Sequence, residues 1–228
     1  MVDHRPCFAS VAILILLSGF RTAAGQEVSE PAWIPHPVRP FEIAATEISV
    51  AQFRSCVTIG TCDAASVSGE CNFGIEGRDD HPVNCVTHTG AEQYCRAIGA
   101  RLCTQEEWLG ACRGLDERPF PYGEAFDLSI CNSRSQKDAV AGNAGTVPVG
   151  SLSECEGGLP GLMDMAGNVN EWLADCKGTY CKFRGGGHIS NEPIGYFAAC
   201  NGVCSGNQKT LQSVTVGIRC CRGTVSEP

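Results

Sequence analysis

The first half of the chain carries three amphipathic segments that the residue pattern predicts to be helices. Each follows a Ser/Thr-x-x-Glu/Gln motif, which is typical of a capping box at a helix start, and each ends at a glycine. The apolar residues between these signals recur every three or four positions, the spacing of a buried helical stripe. The three starts are Ser49, Thr89 and Thr104, and the three stops are Gly60, Gly99 and Gly114. Cys95 and Cys112 lie on the apolar stripes, so we expect both to be buried.

The second half of the chain has shorter apolar runs, separated by turn residues. The segments "TVPVGS", "KFRGG" and "VTVGIRC" are the predicted strands. The chain contains 27 glycines and only 18% charged residues, a composition that favours many turns. The order of the predicted elements, with helices in the first half of the chain and short strands in the second, indicates an α+β domain that is rich in loops.

The amino terminus has the pattern of a secretory signal peptide. An apolar run of ten residues, Val11 to Phe20, follows Arg5 and precedes small residues at Ala23 and Ala24. The alternative is a buried N-terminal helix. We therefore divide the chain into a signal peptide (1–25), an extended proline-rich lead-in (26–40), one domain (41–223) and a tail (224–228). The run of ten is too short to span a bilayer, and no other apolar run is long enough, so we expect a secreted or periplasmic protein.

Cysteine is unusually frequent, since 15 of the 16 cysteines follow the predicted signal peptide. In an oxidising compartment this density indicates a disulfide framework, and an odd number leaves one cysteine without an internal partner. Zinc binding is the alternative, but no pair of CxxC motifs is present and histidine is scarce. Cys176 and Cys181 are close enough in sequence for a local bridge, which we interpret as structural.

Charge and one acidic motif bear on possible ligands. The net charge of −8 argues against nucleic acid, because phosphate binding needs clustered Lys and Arg, and it is compatible with divalent cations. The segment "DMAGNVNEW" places the oxygen donors Asp164, Asn168, Asn170 and Glu171 close together. A hard cation takes about six to eight oxygen ligands. The spacing alone fits either a polar turn or a metal site.

Several segments, taken in order, resemble one family. They are "FEIAATEISVAQFRSCV", "HPVNCVTHTGAEQYCRAIGARLCTQEEWLGACRG", "PYGEAFDLSICN", "VPVGS", "GLMDMAGNVNEW", "FRGG" and "GIRCC". Their order and spacing are similar to those of the sulfatase-modifying-factor domain of formylglycine-generating enzymes, from about Phe41 to Cys221. The resemblance implies a compact, loop-rich fold related to C-type lectin domains.

The resemblance also implies calcium ligands and disulfide pairs. One calcium ion would be held by the side chains of Asp164 and Glu171 and the carbonyls of Gly167 and Val169. A second, less clearly aligned set consists of Asn132, Ser133, Asp138 and Val140. The implied disulfides are Cys95 with Cys220 and Cys112 with Cys200. Bridges that close such long loops are worth about 4–5 kcal/mol in the chain-entropy model.

The family's chemistry requires copper and two thiols shortly after an "RGGS" motif, and these thiols are missing here. Counting forward from Arg184 and back from Cys200 places the two positions at Ser190 and Gly195. Neither residue suits copper(I), which prefers thiolates, so we expect neither copper nor the two-thiol oxidase. His188 in this loop fits a hydrogen-bonding role better than that of a metal ligand.

Two functional hypotheses follow. The first is a calcium-stabilised binding or structural module for a protein or glycan ligand, without oxidase activity. The alternative is an oxidoreductase of the formylglycine-generating type, active in sulfatase maturation, with an altered active site. No nucleic-acid partner is expected under either hypothesis.

Overall fold

The computed structural model of the protein describes residues 27–135, 145–190, 199–202 and 205–224. Within these ranges the chain forms three helices, α1 (Val50–Ile59), α2 (His88–Ala97) and α3 (Gln105–Arg113). It also forms ten short strands: β1 (Trp33–Pro35), β2 (Phe41–Ala44), β3 (Arg101–Leu102), β4 (Arg134–Ser135), β5 (Asn170–Lys177), β6 (Tyr180–Arg184), β7 (Ile189–Ser190), β8 (Ser205–Gln208), β9 (Val216–Gly217) and β10 (Cys220–Gly223). The mixed α+β class is confirmed.

Two of the three predicted helix starts form as expected. Complete capping boxes open α1 at Ser49 and α3 at Thr104. The prediction of a start at Thr89 is wrong, because Thr87 caps α2 and its side chain accepts a hydrogen bond from the Gly90 amide at 3.0 Å. A side-chain oxygen that accepts from an amide of the first turn is enough for an N-cap, without the second half of a capping box.

One four-stranded sheet joins the beginning of the domain to its end. Its order is β1-β2-β10-β3, and every neighbouring pair is antiparallel. Strand β1 lies within the predicted lead-in (26–40), so this part of the segment belongs to the sheet. The strand pairs with β2 through Trp33 opposite Ala44 and Pro35 opposite Glu42.

The second four-stranded sheet has the order β8-β6-β5-β9, in which β5 and β6 form a hairpin and β9 lies parallel to β5. A short parallel pair, β4 with β7, completes the strands described. The predicted strand in "TVPVGS" does not form. Pro148 cannot donate to a strand ladder, and its carbonyl instead accepts from the Ser151 amide in a turn.

Seven disulfides crosslink the described residues. The structure joins Cys95 with Cys220 and Cys112 with Cys200, the two pairs that the resemblance implies. The others are Cys56–Cys62, Cys71–Cys85, Cys103–Cys221, Cys131–Cys155 and Cys176–Cys181. The remaining cysteines, Cys7 and Cys204, lie outside the described residues. Such a framework is typical of proteins that function outside the reducing cytosol.

Strand β10 receives two of these bridges on opposite faces. Successive side chains of a strand point in opposite directions, so Cys220 reaches Cys95 in α2 while Cys221 reaches Cys103 before α3. The same alternation on β5 places Trp172 in a hydrophobic cluster with Phe53 and Tyr94, and Leu173 in a second cluster with Trp108. Among the described residues, no helix has the length and apolarity that crossing a bilayer requires.

Candidate metal centre and polar cleft

The acidic motif after residue 163 folds into a turn with an unusual backbone. Asp164, Gly167 and Asn168 all have positive φ angles, of 59°, 85° and 56°. Glycine is required at position 167, since a Cβ there would lie 2.6 Å from the carbonyl oxygen of Asn132. The turn leads directly into β5, which carries Glu171.

Three carboxylates are buried around this turn. Asp164 and Glu171, the two side chains of the first predicted calcium set, are both almost fully buried, and Glu47 joins them with 0% exposure. The Glu171 Oε1 atom accepts from the Nε of Arg219 at 2.7 Å, and its Oε2 atom accepts from the indole nitrogen of Trp108. Arg219 itself has no exposed surface.

Arg219 also connects the carboxylates to two backbone segments. Its terminal nitrogens donate to the carbonyl of Ala44 at 2.8 Å and to that of Met163 at 2.9 Å. These bonds satisfy the buried guanidinium and fix it between β2 and the acidic turn. Sequence reasoning missed Arg219, because nothing in the segment "GIRCC" indicates that this arginine faces buried carboxylates.

Glu47 is the second residue that sequence reasoning missed. It accepts a hydrogen bond from the Asn168 side chain at 2.7 Å and another from the Val169 amide at 2.9 Å. The residue is more than a hundred positions away from the turn it supports. The signal available in the sequence was a single acidic residue in the otherwise uncharged run "AATEIS".

The electrostatics of the three carboxylates are unfavourable without a further cation. Burial, followed by the charges of Asp164 and Glu171, raises the pKa of Glu47 well above its usual range. Burial also raises the pKa of Asp164 and of Glu171, although Arg219 opposes both shifts. Desolvation thus disfavours the ionised form at each of the three positions.

The donor set fits a hard divalent cation. If all three carboxylates were ionised, they and one guanidinium would carry a buried formal charge of −2, which one divalent ion would neutralise. Carboxylate and carbonyl oxygens are the ligands that calcium prefers. Asp164 and Glu171 are the side chains that would hold the ion, with the carbonyls of Gly167 and Val169, and Glu47 adds a carboxylate beside them.

The second predicted calcium set is only partly described. Asn132 and Ser133 are buried next to the turn, and Asn132 donates to the Gly145 carbonyl at 3.0 Å. The Ser133 hydroxyl is buried and has no hydrogen-bond partner within the described part of the chain. Asp138 and Val140 lie outside the described residues, so this set stays a prediction.

A polar cleft of about 230 Å³ opens beside the turn. Its walls include amides, a hydroxyl and three ionisable side chains. The residues that line the cleft include Glu70, Asn72, Arg78, Thr146 and His188. Asn72 donates to the Thr146 hydroxyl at 2.8 Å, and Arg78 lies within 3.4 Å of the same hydroxyl. These bonds hold the wall in one conformation.

His188 connects the cleft to the acidic turn. Its backbone amide and its Nδ1 atom both lie within hydrogen-bond distance of the Asn168 carbonyl, at 2.8 and 3.0 Å. A carbonyl only accepts, so Nδ1 carries the proton. Burial lowers the pKa of His188, which favours the neutral ring with a lone pair on Nε2.

Arg184 connects the end of β6 to the described residues 199–202. The Arg184 Nη1 atom donates to the carbonyls of Cys200 at 3.3 Å and Gly202 at 2.9 Å. Ser190, one of the two predicted thiol positions, lies in β7 opposite Ser135. Gly195, the other position, lies outside the described residues.

Comparisons with known proteins agree with this architecture. The family described as "Sulfatase-modifying factor enzyme 1-like domain" matches residues 5–224. The chain is 30% identical over 191 residues to the formylglycine-generating enzyme of Mycobacterium tuberculosis, covering 74% of this chain and 60% of that protein. It is 36% identical over 107 residues to the inactive C-alpha-formylglycine-generating enzyme 2 of Bos taurus, and the match covers 44% of this chain and 35% of the bovine protein.

A third relative is much longer than this chain. The serine/threonine-protein kinase pkn1 of Chlamydia caviae is 39% identical over 103 residues, which cover 45% of this chain and 15% of the kinase. The chain thus spans less than two thirds of each of these relatives.

Two solved structures share the fold. CarF superposes with a TM-score of 0.63 at 20% identity, over 87% of this chain and 95% of CarF. PvdO from Pseudomonas aeruginosa superposes with a TM-score of 0.62 at 21% identity, over 82% of this chain and 81% of PvdO. The predicted fold related to C-type lectin domains is confirmed by these neighbours.

Replacing Arg219 with methionine should destabilise the protein by about 3–5 kcal/mol, because the change leaves buried carboxylates without their cation. The matched control is Arg222→Met in the same strand region, since Arg222 is more than one-third exposed in its pair with Glu42 and such pairs contribute about 0–1 kcal/mol. Denaturant unfolding of both variants measures the difference. Equal losses in the two variants would contradict the role given to Arg219.

Proposed function

The chain belongs to the sulfatase-modifying factor enzyme 1-like family, and we propose that it is an exported, calcium-stabilised binding module without the family's copper-dependent oxidase activity. The observation that carries this proposal is the pair Ser190 and Gly195 at the positions of the two family thiols. A hydroxyl and a hydrogen atom provide no soft ligand for copper(I). The bovine relative named as inactive supports the existence of non-catalytic members on this scaffold.

Calcium would have a structural role in this module. The ion would neutralise the excess charge of Asp164, Glu171 and Glu47 and keep the turn in its left-handed conformation. Glu47 and the turn fix Asn168, and the Asn168 carbonyl positions His188 in the cleft. Calcium binding would therefore order the wall of the cleft as well as stabilise the fold.

The polar cleft is the surface that we assign to the ligand. Glu70 and the Nε2 atom of His188 are acceptors, while Arg78 is a donor. A glycan needs this mixture, since each hydroxyl both donates and accepts, whereas an apolar side chain would bury these groups without partners. We therefore favour a glycan ligand over a protein side chain at this position.

Calcium should raise the thermal midpoint of the protein, and a chelator should lower it. An ion present at about 100 times its Kd would add about 2.7 kcal/mol to the free energy of unfolding. The ligands must be ionised, so this gain should disappear as the pH falls and protons occupy Glu47 and Asp164. Thermal melts with calcium or chelator between pH 4 and pH 8 test this.

Two variants make the calcium test specific. Asp164→Asn should abolish the response to calcium, whereas Glu106→Gln should keep it, because Glu106 is an exposed carboxylate on α3. Melting curves that chelator leaves unchanged throughout the pH range would rule out a structural calcium ion.

Incubation of the full chain with copper and a cysteine-containing sulfatase peptide should yield no formylglycine above background. Mass spectrometry of the peptide gives the measurement, and a formylglycine-generating enzyme assayed in parallel is the positive control. Formylglycine formation would refute the binding-module proposal and favour the oxidoreductase with an altered site.

An array of immobilised glycans should retain the calcium-loaded chain on a restricted set of structures. Glu70→Ala should weaken that binding at least tenfold, because Glu70 lines the cleft. Glu76→Ala is the matched control, since Glu76 is also exposed but does not line the cleft. Absence of binding to every glycan, or equal effects of the two substitutions, would overturn the assignment of a glycan to the cleft.

A further inference from the structure

The bridge between Cys176 and Cys181 differs from the other six in its exposure. Of the fourteen cysteines in the described bridges, Cys176 is the exposed one, and the remaining thirteen are buried. Cys176 in β5 lies directly opposite Cys181 in β6. One more residue pair separates them from the hairpin loop at Gly178 and Thr179. The Cys176 sulfur is therefore open to attack by a thiol from solution.

A buried histidine completes a cluster with these two sulfurs. The Nε2 atom of His88 lies 3.4 Å from the Cys176 Sγ and donates to the Leu173 carbonyl at 2.9 Å. The ligand atoms of His88, Cys176 and Cys181 all lie within 4.8 Å of one another. The imidazole packs edge-on against Trp172, with ring centroids 5.5 Å apart, so its position is fixed.

We propose that this cluster is a redox-gated site for a thiophilic metal ion, with zinc as the reference ion. The reductant is an external dithiol. One of its thiolates attacks the Cys176 sulfur, and the electron pair of the broken S–S bond leaves on Cys181. The second thiol of the reductant then displaces Cys176, so two electrons pass to the bridge and the reductant becomes a disulfide.

The fold should keep the two thiols together after reduction. The bridge spans a sequence separation of only 5, so its loss frees little chain entropy compared with bridges that span 88 to 125 residues. Strand β6 remains paired with both β5 and β8. Trp172 still packs on Phe183 across the hairpin. Cys176 and Cys181 consequently stay opposite each other.

The reduced cluster has the ligand types and the supporting group that zinc requires. Two thiolates and one imidazole nitrogen are a known zinc ligand set, with water in the fourth position. Binding would release one proton from each thiol and shift the imidazole proton to Nδ1, which lies 3.9 Å from the Glu92 carboxylate. Glu92, which also pairs with Arg96, would orient the ring and strengthen the ligand by closing this distance to a hydrogen bond.

Partial reduction tests whether the Cys176–Cys181 bridge opens before the others. Treatment of the intact protein with a limiting dithiol, followed by alkylation and peptide mapping, should modify Cys176 and Cys181 first. The internal control is the Cys56–Cys62 bridge, which has a similar separation of 6 but is buried at both ends. Reduction of Cys56–Cys62 at the same rate would overturn the proposal.

Metal titration tests the site. The partly reduced protein, kept without oxygen, should bind one equivalent of Co²⁺ with thiolate-to-cobalt absorption, and Zn²⁺ should displace it. The double variant Cys176→Ser/Cys181→Ser should lose this absorption.

Two variants test the histidine and its carboxylate. Glu92→Gln should weaken binding about 10- to 100-fold while the melting temperature before reduction is retained. His88→Asn should weaken it further. Lack of Co²⁺ absorption in the reduced protein, or unchanged affinity in the Glu92 variant, would refute the proposed site.

Discussion

The buried ion pair between Glu171 and Arg219 is the interaction on which the rest of this structure depends. Both side chains have no exposure, and burying such ions costs several kcal/mol per ion unless every donor and acceptor is paired. Arg219 meets this condition by donating to Glu171 and to two backbone carbonyls. The pair therefore holds β5 and the start of the acidic turn, which are close together in the chain, against the distant end of β2. Any relaxation of these segments would leave a charge in the core without a partner.

The disulfides and the ion pair support each other through adjacent positions in the chain. Cys220 and Cys221 directly follow Arg219 and are bonded to opposite sides of the domain. These bonds restrict where the backbone of Arg219 can lie, and the guanidinium then restricts Glu171 and the turn. The constraint continues from Glu47 through Asn168 to His188, which lines the cleft. A cleft lined by loops can thus be rigid, because the residues beneath it are fixed by covalent bonds and by buried charge.

Local features of this fold were predictable from the sequence, whereas contacts between distant segments were not. The capping boxes at Ser49 and Thr104 were predictable because a capping box involves residues only three positions apart. Thr87 was missed because two threonines compete there, and the sequence pattern favours the one with a glutamate after it. Glu47 could not be assigned to the turn, since nothing in its neighbours indicates residues more than a hundred positions away. The two long bridges were accessible only through the family resemblance, which carries information on distant pairs that spacing does not contain.

Two pairs of positions with the same spacing show that the backbone, and not the spacing, decides whether two side chains meet. The family positions at Ser190 and Gly195 are five residues apart, and so are Cys176 and Cys181. On the β5–β6 hairpin, a two-residue loop places Cys176 opposite Cys181, so the sulfurs meet and form a bridge. Ser190 lies instead in β7, which pairs with β4. The hairpin cysteines lie against His88, away from Ser190, one of the two positions that the resemblance assigns to the family thiols.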